Sequence, residues 1–420
     1  MLKSAGFGIA LLVRRSLAQH AVSTTITALS LALASGLVMA LFSIQTQSRA
    51  AFVSGASAFD AVLGARGSQL QIVLNSVFHL ETSPGNLPWS WYTKLREDPG
   101  VSLAIPYALG DNYRGLRIVG TESKLFDVAV AGKAAIVLER GRAFDDNLRE
   151  IVVGSYAAAR SGLTLNSRIH PTHGLVDNDH DHDEEYVVVG IAAPTNTPND
   201  RVLWMPIEGV FRMGGHVLRG AGEEYHAEVD EEIPEASKEV SAVLLRFKNH
   251  QRGLELDRAI NFEGTEATLA FPIARVMAEL FEKLGWMNRV LALVAYLTVL
   301  VGAASILASL YNTMNERRRE FAILRALGAR RSTLFASILG ESAAIGALGG
   351  VFGIAVQLGI VSLAATVMRR QTGVVIDPFA YSDALWAVPL SVVVLGTLAG
   401  LWPAWNAYRT AVAEHLGPTS

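Results

Sequence analysis

Long uncharged apolar runs constrain this sequence most. Residues 22–44 contain no ionisable side chain, and a helix of that length can cross a bilayer core of roughly 30 Å. Further apolar runs lie at residues 290–310, 334–368 and 384–402, and Glu341 is the one acidic or basic residue within them. Because 50% of the 420 residues are hydrophobic and only 18% are charged, a purely soluble enzyme is disfavoured. The sequence therefore predicts a membrane α-helical fold class with four transmembrane helices.

The first run has a second interpretation, a cleaved signal peptide. It is longer than the apolar core of a typical signal, and it follows a segment that carries Lys3, Arg14 and Arg15 without any acid. We therefore expect a retained helix. The lead segment itself either lies along the inner membrane surface as an amphipathic helix or forms a plain cytoplasmic tail.

Positive charge predicts the orientation, since short Lys- and Arg-rich flanks stay in the cytoplasm. The loop between the second and third runs holds six arginines against two glutamates, a net charge of +4. Residues 45–289 hold 24 basic and 33 acidic side chains, a net charge of −9. We expect both termini and the basic loop inside, and the long insert between the first and second helices outside. In this orientation Arg369 and Arg370 lie on the outer side of the membrane, contrary to the preference of basic residues for the cytoplasmic side.

The resulting division of the chain has nine segments. They are a cytoplasmic N-terminal amphipathic segment (1–20), a first transmembrane helix (21–44), an outer domain with a helical stalk (45–289), a second helix (290–310), a cytoplasmic loop (311–333), a third helix (334–368), a short outer loop (369–383), a fourth helix (384–403) and a cytoplasmic tail (404–420).

Short β-rich and helical patterns alternate in the outer segment, which predicts an α+β domain. The predicted strands are 116–119, 151–153, 186–191, 202–205 and 243–247, and the predicted helices are 89–97, 156–161 and 207–213. Residues 254–285 read as helical again, with apolar side chains at three-four spacing from Ile273 to Leu284. We expect this stretch to run as a stalk into the second transmembrane helix.

One loop of the outer segment is rich in histidine and acid. Residues 170–185 contain four histidines and six acidic residues. His170, His173, His180 and His182 are candidate zinc ligands, because imidazole suits Zn²⁺. The alternative is a solvated acidic loop, since the spacing matches no defined metal site.

Motifs for catalysis do not occur. The chain has no cysteine, no phosphate-binding Gly-x-x-x-x-Gly-Lys-Ser/Thr, no His-Glu-x-x-His and no Gly-x-Ser-x-Gly. We therefore do not expect this chain to be an enzyme. Apart from zinc at the His-rich loop, we also expect it to bind no cofactor.

Small residues in the third and fourth runs suit close helix packing, within the chain or in a dimer. These residues are Gly346, Gly349, Gly350, Gly353, Gly396 and Gly400.

The basic loop contains the most specific pattern. Phe321, Ile323, Leu324 and Leu327 form an apolar stripe on a basic helix, and Gly328 follows as a C-terminal cap. Such a helix either docks on a partner or lies on anionic lipid.

The same loop resembles the E-R-x-R-E-I-x-x-L-R-A-L-G-A signature of FtsX-like permeases of MacB-type (type VII) ABC transporters. The matching residues are Glu316, Arg317, Arg319, Glu320, Leu324, Arg325, Ala326, Leu327, Gly328 and Ala329. The end of the chain, from Trp402 to Arg409, is similar to the terminal helix of that family. Phe321, where the family usually has Ile, and the His-rich loop depart from its pattern.

The resemblance implies an inner-membrane permease whose large outer domain lies in the periplasm. It further implies a homodimer and a separate cytoplasmic ABC ATPase, which binds ATP and Mg²⁺ and docks beneath the basic loop. The residues that would then couple the two subunits are Glu316, Arg317, Arg319, Glu320, Phe321, Ile323, Leu324, Arg325, Leu327 and Gly328. Members of the family export or extract small molecules, peptides or lipoproteins. The resemblance also implies a periplasmic protein partner. It implies no binding of nucleic acid. The alternative function is a transmembrane signalling, mechanotransmission or metal-sensing module acting on a periplasmic partner.

Overall fold

The computed structural model describes residues 2–55, 58–130, 133–174, 184–213, 218–219, 223–224, 233–316 and 318–409. The chain forms two compact units. The helical unit comprises Met1–Gln47, Gly285–Thr366 and Ile376–Ser420, and the outer unit comprises Ser48–Leu284 and Val367–Val375.

Helices dominate the described chain before residue 56 and after residue 272. The α-helices of the described residues are α1 (Leu2–Gln19), α2 (Ala21–Gly55), α3 (Gln69–Ser76), α4 (Trp89–Arg96), α5 (Ser155–Ser161), α6 (Ile207–Phe211), α7 (His250–Asp257), α8 (Ile273–Glu316), α9 (Arg318–Ala326), α10 (Arg331–Thr372) and α11 (Ala384–Arg409). Short 3-10 segments at Ser123–Asp127, Pro198–Arg201 and Glu235–Ser237 and a π-helix at Arg258–Glu263 complete the helical structure.

Strands lie in the outer unit. In the described part of the chain they are β1 (Ala61–Ala65), β2 (Leu87–Pro88), β3 (Val101–Tyr113), β4 (Leu116–Thr121), β5 (Ala129–Val130), β6 (Lys133–Ala134), β7 (Leu138–Gly141), β8 (Glu150–Val153), β9 (Arg168–Ile169), β10 (Thr172–His173), β11 (Tyr186–Ala192), β12 (Leu203–Pro206), β13 (Leu218–Arg219), β14 (Glu223–Glu224), β15 (Glu239–Val240), β16 (Ala242–Phe247) and β17 (Ala267–Ala270).

A mixed sheet organises the outer unit. Its strand order is β17-β1-β16-β3-β4-β12-β8-β11-β7, with β10 on β3 and β9 on β11. Most pairs are antiparallel, but β12 runs parallel to β4, and β11 runs parallel to β8. The α+β prediction for the outer segment is therefore confirmed.

The sheet has an apolar core on each face. In β12, Leu203 and Met205 enter one core and Trp204 enters the other. Helices α4, α5 and α6 cover the first face, whereas α3 and the beginning of α8 cover the second. Because both faces are buried, strands such as β12 read as short continuous apolar runs rather than alternating ones.

The five predicted strands correspond to β4, β8, β11, β12 and β16, and the three predicted helices to α4, α5 and α6. The predicted helical stretch from residue 254 is helical as far as Glu263, through α7 and the π-helix, but it is wrong at residues 264–272, where β17 interrupts it. Helix α8 begins only at Ile273, after Pro272, and buries Ile273, Val276 and Met277 in the second core. The apolar stripe thus anchors the helix to the sheet.

Four helices of the described chain are long and apolar enough to cross a membrane: Ala21–Phe52, Ile273–Asn312, Arg331–Thr372 and Ala384–Arg409. Each extends beyond the apolar run from which it was predicted, because backbone hydrogen bonding continues through polar residues. The predicted end of the fourth helix at residue 403 is wrong, since α11 continues through Pro403 to Arg409. Proline removes one backbone donor and crowds the carbonyl of residue i−4, and long apolar helices tolerate it where neighbouring groups satisfy the freed carbonyl.

Candidate functional site

The basic loop forms a short helix, α9, between α8 and α10. Glu316 is the last residue of α8, and Arg317 lies outside the described residues. Gly328 ends the helix with a φ of 96°. The backbone N–H of Ala329 donates to the carbonyl of Leu324, and that of Gly328 to the carbonyl of Arg325, both at 3.0 Å. These bonds form a Schellman motif, so the predicted cap at Gly328 is confirmed.

One face of α9 packs on its own unit. Ala322 is buried, and Phe321 packs against an apolar cluster in the helical unit. That cluster contains Met314, Phe335, Ile338, Ala404 and Ala407. Phe321 therefore anchors α9 to the beginning of α10 and the end of α11.

The opposite face of α9 is open. Ile323 is 45% exposed and Leu327, one turn later, is 81% exposed, while Leu324 is half-buried. Glu320 is exposed beside them, and Arg325 is half-buried; Arg319 lies in the first turn of the helix. The four apolar residues predicted as one docking stripe are thus divided, with Phe321 facing inward and Ile323 and Leu327 facing outward.

The N-terminal helix joins the same unit. Leu17 packs against its main apolar cluster, and a Cβ at Gly340 would lie 3.1 Å from Val13. Neither sequence interpretation of residues 1–20 included packing on α10, because a basic amphipathic pattern does not distinguish a lipid surface from a neighbouring helix.

Glycines bring the long helices of this unit into contact. A Cβ at Gly349 would lie 2.5 Å from the Cβ of Leu31, and one at Gly353 would collide with Ser35. The remaining predicted packing glycines, Gly346, Gly350, Gly396 and Gly400, also face side chains or backbone of other helices of the chain. These contacts with α2, α8, α10 and α11 require residues without a side chain.

Two of the four predicted zinc ligands, His170 and His173, are among the described residues. His170 is exposed after β9, and the backbone of His173 pairs with Asp111 in the sheet. His180 and His182 lie outside the described residues. Among the residues that are described, no group of three or more His, Asp or Glu side chains could hold a metal ion. Zinc binding by this loop stays a prediction.

Two protein families match the sequence. The FtsX-like permease C-terminal family matches residues 292–412, and the MacB-like periplasmic core domain matches residues 24–250. The second match alone covers more than half of the chain.

Curated relatives agree with these families. A macrolide export ATP-binding/permease protein MacB of Nitrobacter winogradskyi is 31% identical over 31% of this chain and 19% of its own length. The MacB of Bdellovibrio bacteriovorus is 26% identical over 54% of this chain and 32% of its own. An uncharacterized ABC transporter permease of Methanocaldococcus jannaschii is 20% identical over 66% of this chain and 65% of its own length. The chain thus spans a third or less of the MacB relatives named here.

Solved structures include the periplasmic region of MacB from Actinobacillus actinomycetemcomitans. It is 11% identical, with 56% of this chain and 98% of that chain covered and a TM-score of 0.34.

Proposed function

Because the chain belongs to the FtsX-like permeases with a MacB-like periplasmic core domain, we propose that it is the permease subunit of an ATP-driven transporter. In this proposal the four long apolar helices cross the bacterial inner membrane. The negatively charged insert lies in the periplasm, and α9, with its arginine-rich flanks, lies in the cytoplasm. The distribution of positive charge supports this orientation.

The exposed apolar residues on the open face of α9 are the observation that best supports this proposal. Phe321 holds the helix on its own unit, so Ile323 and Leu327 remain free to enter an apolar groove on a separate ATPase. A short helix anchored on one face and open on the other is suited to transmit movement of a docked partner. The ATPase would bind ATP and Mg²⁺, and a homodimer of this chain would receive two such subunits.

Helix α8 provides a route for movement. It is continuous over 44 residues, begins in the second core of the outer unit at Ile273, and ends next to α9. A displacement of α9 would therefore act on the sheet through one helix. We propose that this movement exports or extracts a substrate, either a peptide, a lipoprotein or a small molecule of the kind for which the MacB relatives are named.

Cysteine labelling tests the orientation, since the chain has no cysteine of its own. Leu148 in the outer unit and Leu327 after α9 are 52% and 81% exposed. In spheroplasts, a membrane-impermeant maleimide should label Leu148→Cys directly and Leu327→Cys only after the membrane is ruptured. Labelling of Leu327→Cys in intact spheroplasts would contradict the proposed topology.

A further inference from the structure

The outer unit contains a cavity of about 290 Å³ whose lining includes two arginines and a histidine. Arg117 comes from β4, Arg201 from the 3-10 segment before β12, and His79 from the loop after α3. Gln371 and Thr372, at the end of α10, also line it.

Arg117 is held in place by neutral groups. One terminal nitrogen donates to the side-chain oxygen of Asn75 at 2.6 Å and to the Asn75 carbonyl at 3.2 Å, and the other donates to the Glu81 carbonyl at 2.8 Å. Burial, followed by the positive charge of Arg201, lowers the pKa of Arg117. The side chain of Glu81 is exposed and its charge acts in the opposite direction. No carboxylate is hydrogen-bonded to this guanidinium among the described residues.

Arg201 has unused hydrogen-bonding capacity. One terminal nitrogen donates to the carbonyl of Gln371, but its Nε is buried without an acceptor. Burial is the largest cause of its lowered pKa. A buried guanidinium donor without a partner is costly, and an anionic acceptor would satisfy it.

His79 adds a second unsatisfied polar atom. Its Nε2 lies 3.3 Å from the side-chain oxygen of Asn199, while its Nδ1 is buried without a partner. Burial, with help from Arg117, lowers the pKa of His79 to about 3, so the ring is neutral at neutral pH. Its φ of 54° is uncommon for a residue with a side chain, and such backbone strain is often found at binding sites.

We propose that this cavity binds a phosphate group, with Arg117 and Arg201 as its charge partners. Because Nε2 of His79 donates to the side-chain oxygen of Asn199, its Nδ1 is an acceptor, and it pairs with water or a protonated phosphate oxygen at the edge of the site. Two guanidinium groups balance a dianion, and a tetrahedral oxyanion accepts donors from several directions. The volume accommodates a phosphate with a small substituent. The group can come from free phosphate or from the headgroup of an anionic phospholipid. Free phosphate supplies up to two negative charges and the phosphodiester of a headgroup one, but both present non-bridging phosphate oxygens to the arginines.

Phosphorus NMR on the full chain in phosphatidylcholine nanodiscs tests the proposal, with inorganic phosphate as the probe. We expect saturable binding that Arg201→Gln weakens by about tenfold or more, because a charge-assisted hydrogen bond is lost. Arg201→Lys should retain part of the affinity. Arg140→Gln is the matched control, since Arg140 is an exposed arginine of β7 in the same unit.

Nanodiscs of phosphatidylglycerol distinguish the two sources. If the headgroup fills the cavity, these nanodiscs should suppress phosphate binding relative to phosphatidylcholine, and Arg201→Gln should remove the difference. If free phosphate is the ligand, any loss of affinity in phosphatidylglycerol comes only from the negative surface, so it should be the same for the unmodified chain and Arg201→Gln and should disappear at high salt. The proposal is overturned if the unmodified chain shows no saturable binding and retains no phospholipid, or if Arg201→Gln and Arg140→Gln behave alike. Neither result would depend on an ATPase.

Discussion

Aspartate at both Ile323 and Leu327 should abolish the binding of the ATPase subunit and its stimulation by the permease. Each apolar side chain that becomes buried in a partner contributes about 1.5–3 kcal/mol, so the loss of two weakens the complex about a hundredfold or more. The introduced carboxylates would also be buried without partners. Binding of the purified ATPase to nanodiscs containing the full chain measures the affinity, and ATP hydrolysis measures the stimulation.

Leu148→Asp is the matched control for this double variant. Leu148 is 52% exposed in the outer unit, so the substitution makes the same chemical change on a surface of comparable exposure. It should leave both ATPase binding and ATP hydrolysis unchanged. Equal affinity of the double variant and the unmodified chain, with the same elution volume in size-exclusion chromatography, would refute docking through the open face of α9.

Leucine at Gly349 should destabilise the helical unit strongly. Even the first atom of the new side chain would lie 2.5 Å from the Cβ of Leu31, and both Cβ atoms are fixed to helix backbones. Helices α2 and α10 must therefore separate, and overpacking of this kind costs about 1–3 kcal/mol or more. We expect the melting temperature of the detergent-solubilised chain to fall by about 5 °C or more.

Gly359→Leu in the same helix provides the comparison. Gly359 is exposed, and nothing lies within 4 Å of a Cβ at this position. This variant should melt at the temperature of the unmodified chain. If both variants melt alike, close packing of α10 on α2 is not required for the stability of the unit.

Local patterns in the sequence were sufficient to predict α9 and its end, but not its orientation. The three-four spacing and Gly328 lie within about a dozen residues of one another. Which face turns inward depends on Ile338 and Ala404, which lie on other helices. An apolar stripe therefore predicts a helix, but it does not show which of its side chains pack within the chain and which remain exposed. Contacts with residues distant in sequence determine this.

The longest strand of the sheet, β3, was not predicted. It contains Pro106 and Gly110, which argue against a central strand, yet β3 lies between β16 and β4. Pro106 pairs with Val243, and the register with β4 shifts between Leu109 and Asn112, around Gly110. Long-range pairing here outweighs local propensity.

The basic cavity also had no signal in the sequence. His79, Arg117 and Arg201 are separated by tens of residues, and each is an ordinary polar residue in its local context. The sheet brings them together, so only the fold distinguishes them from the other basic residues of the outer segment.

Native mass spectrometry of the full chain, purified by an affinity tag from its own membrane, tests the permease assignment most directly. We predict a complex of two copies of this 45.1 kDa chain with two copies of an ABC ATPase, and its dissociation in the Ile323→Asp/Leu327→Asp variant. Isolation of the chain under the same conditions without a nucleotide-binding subunit would contradict this account.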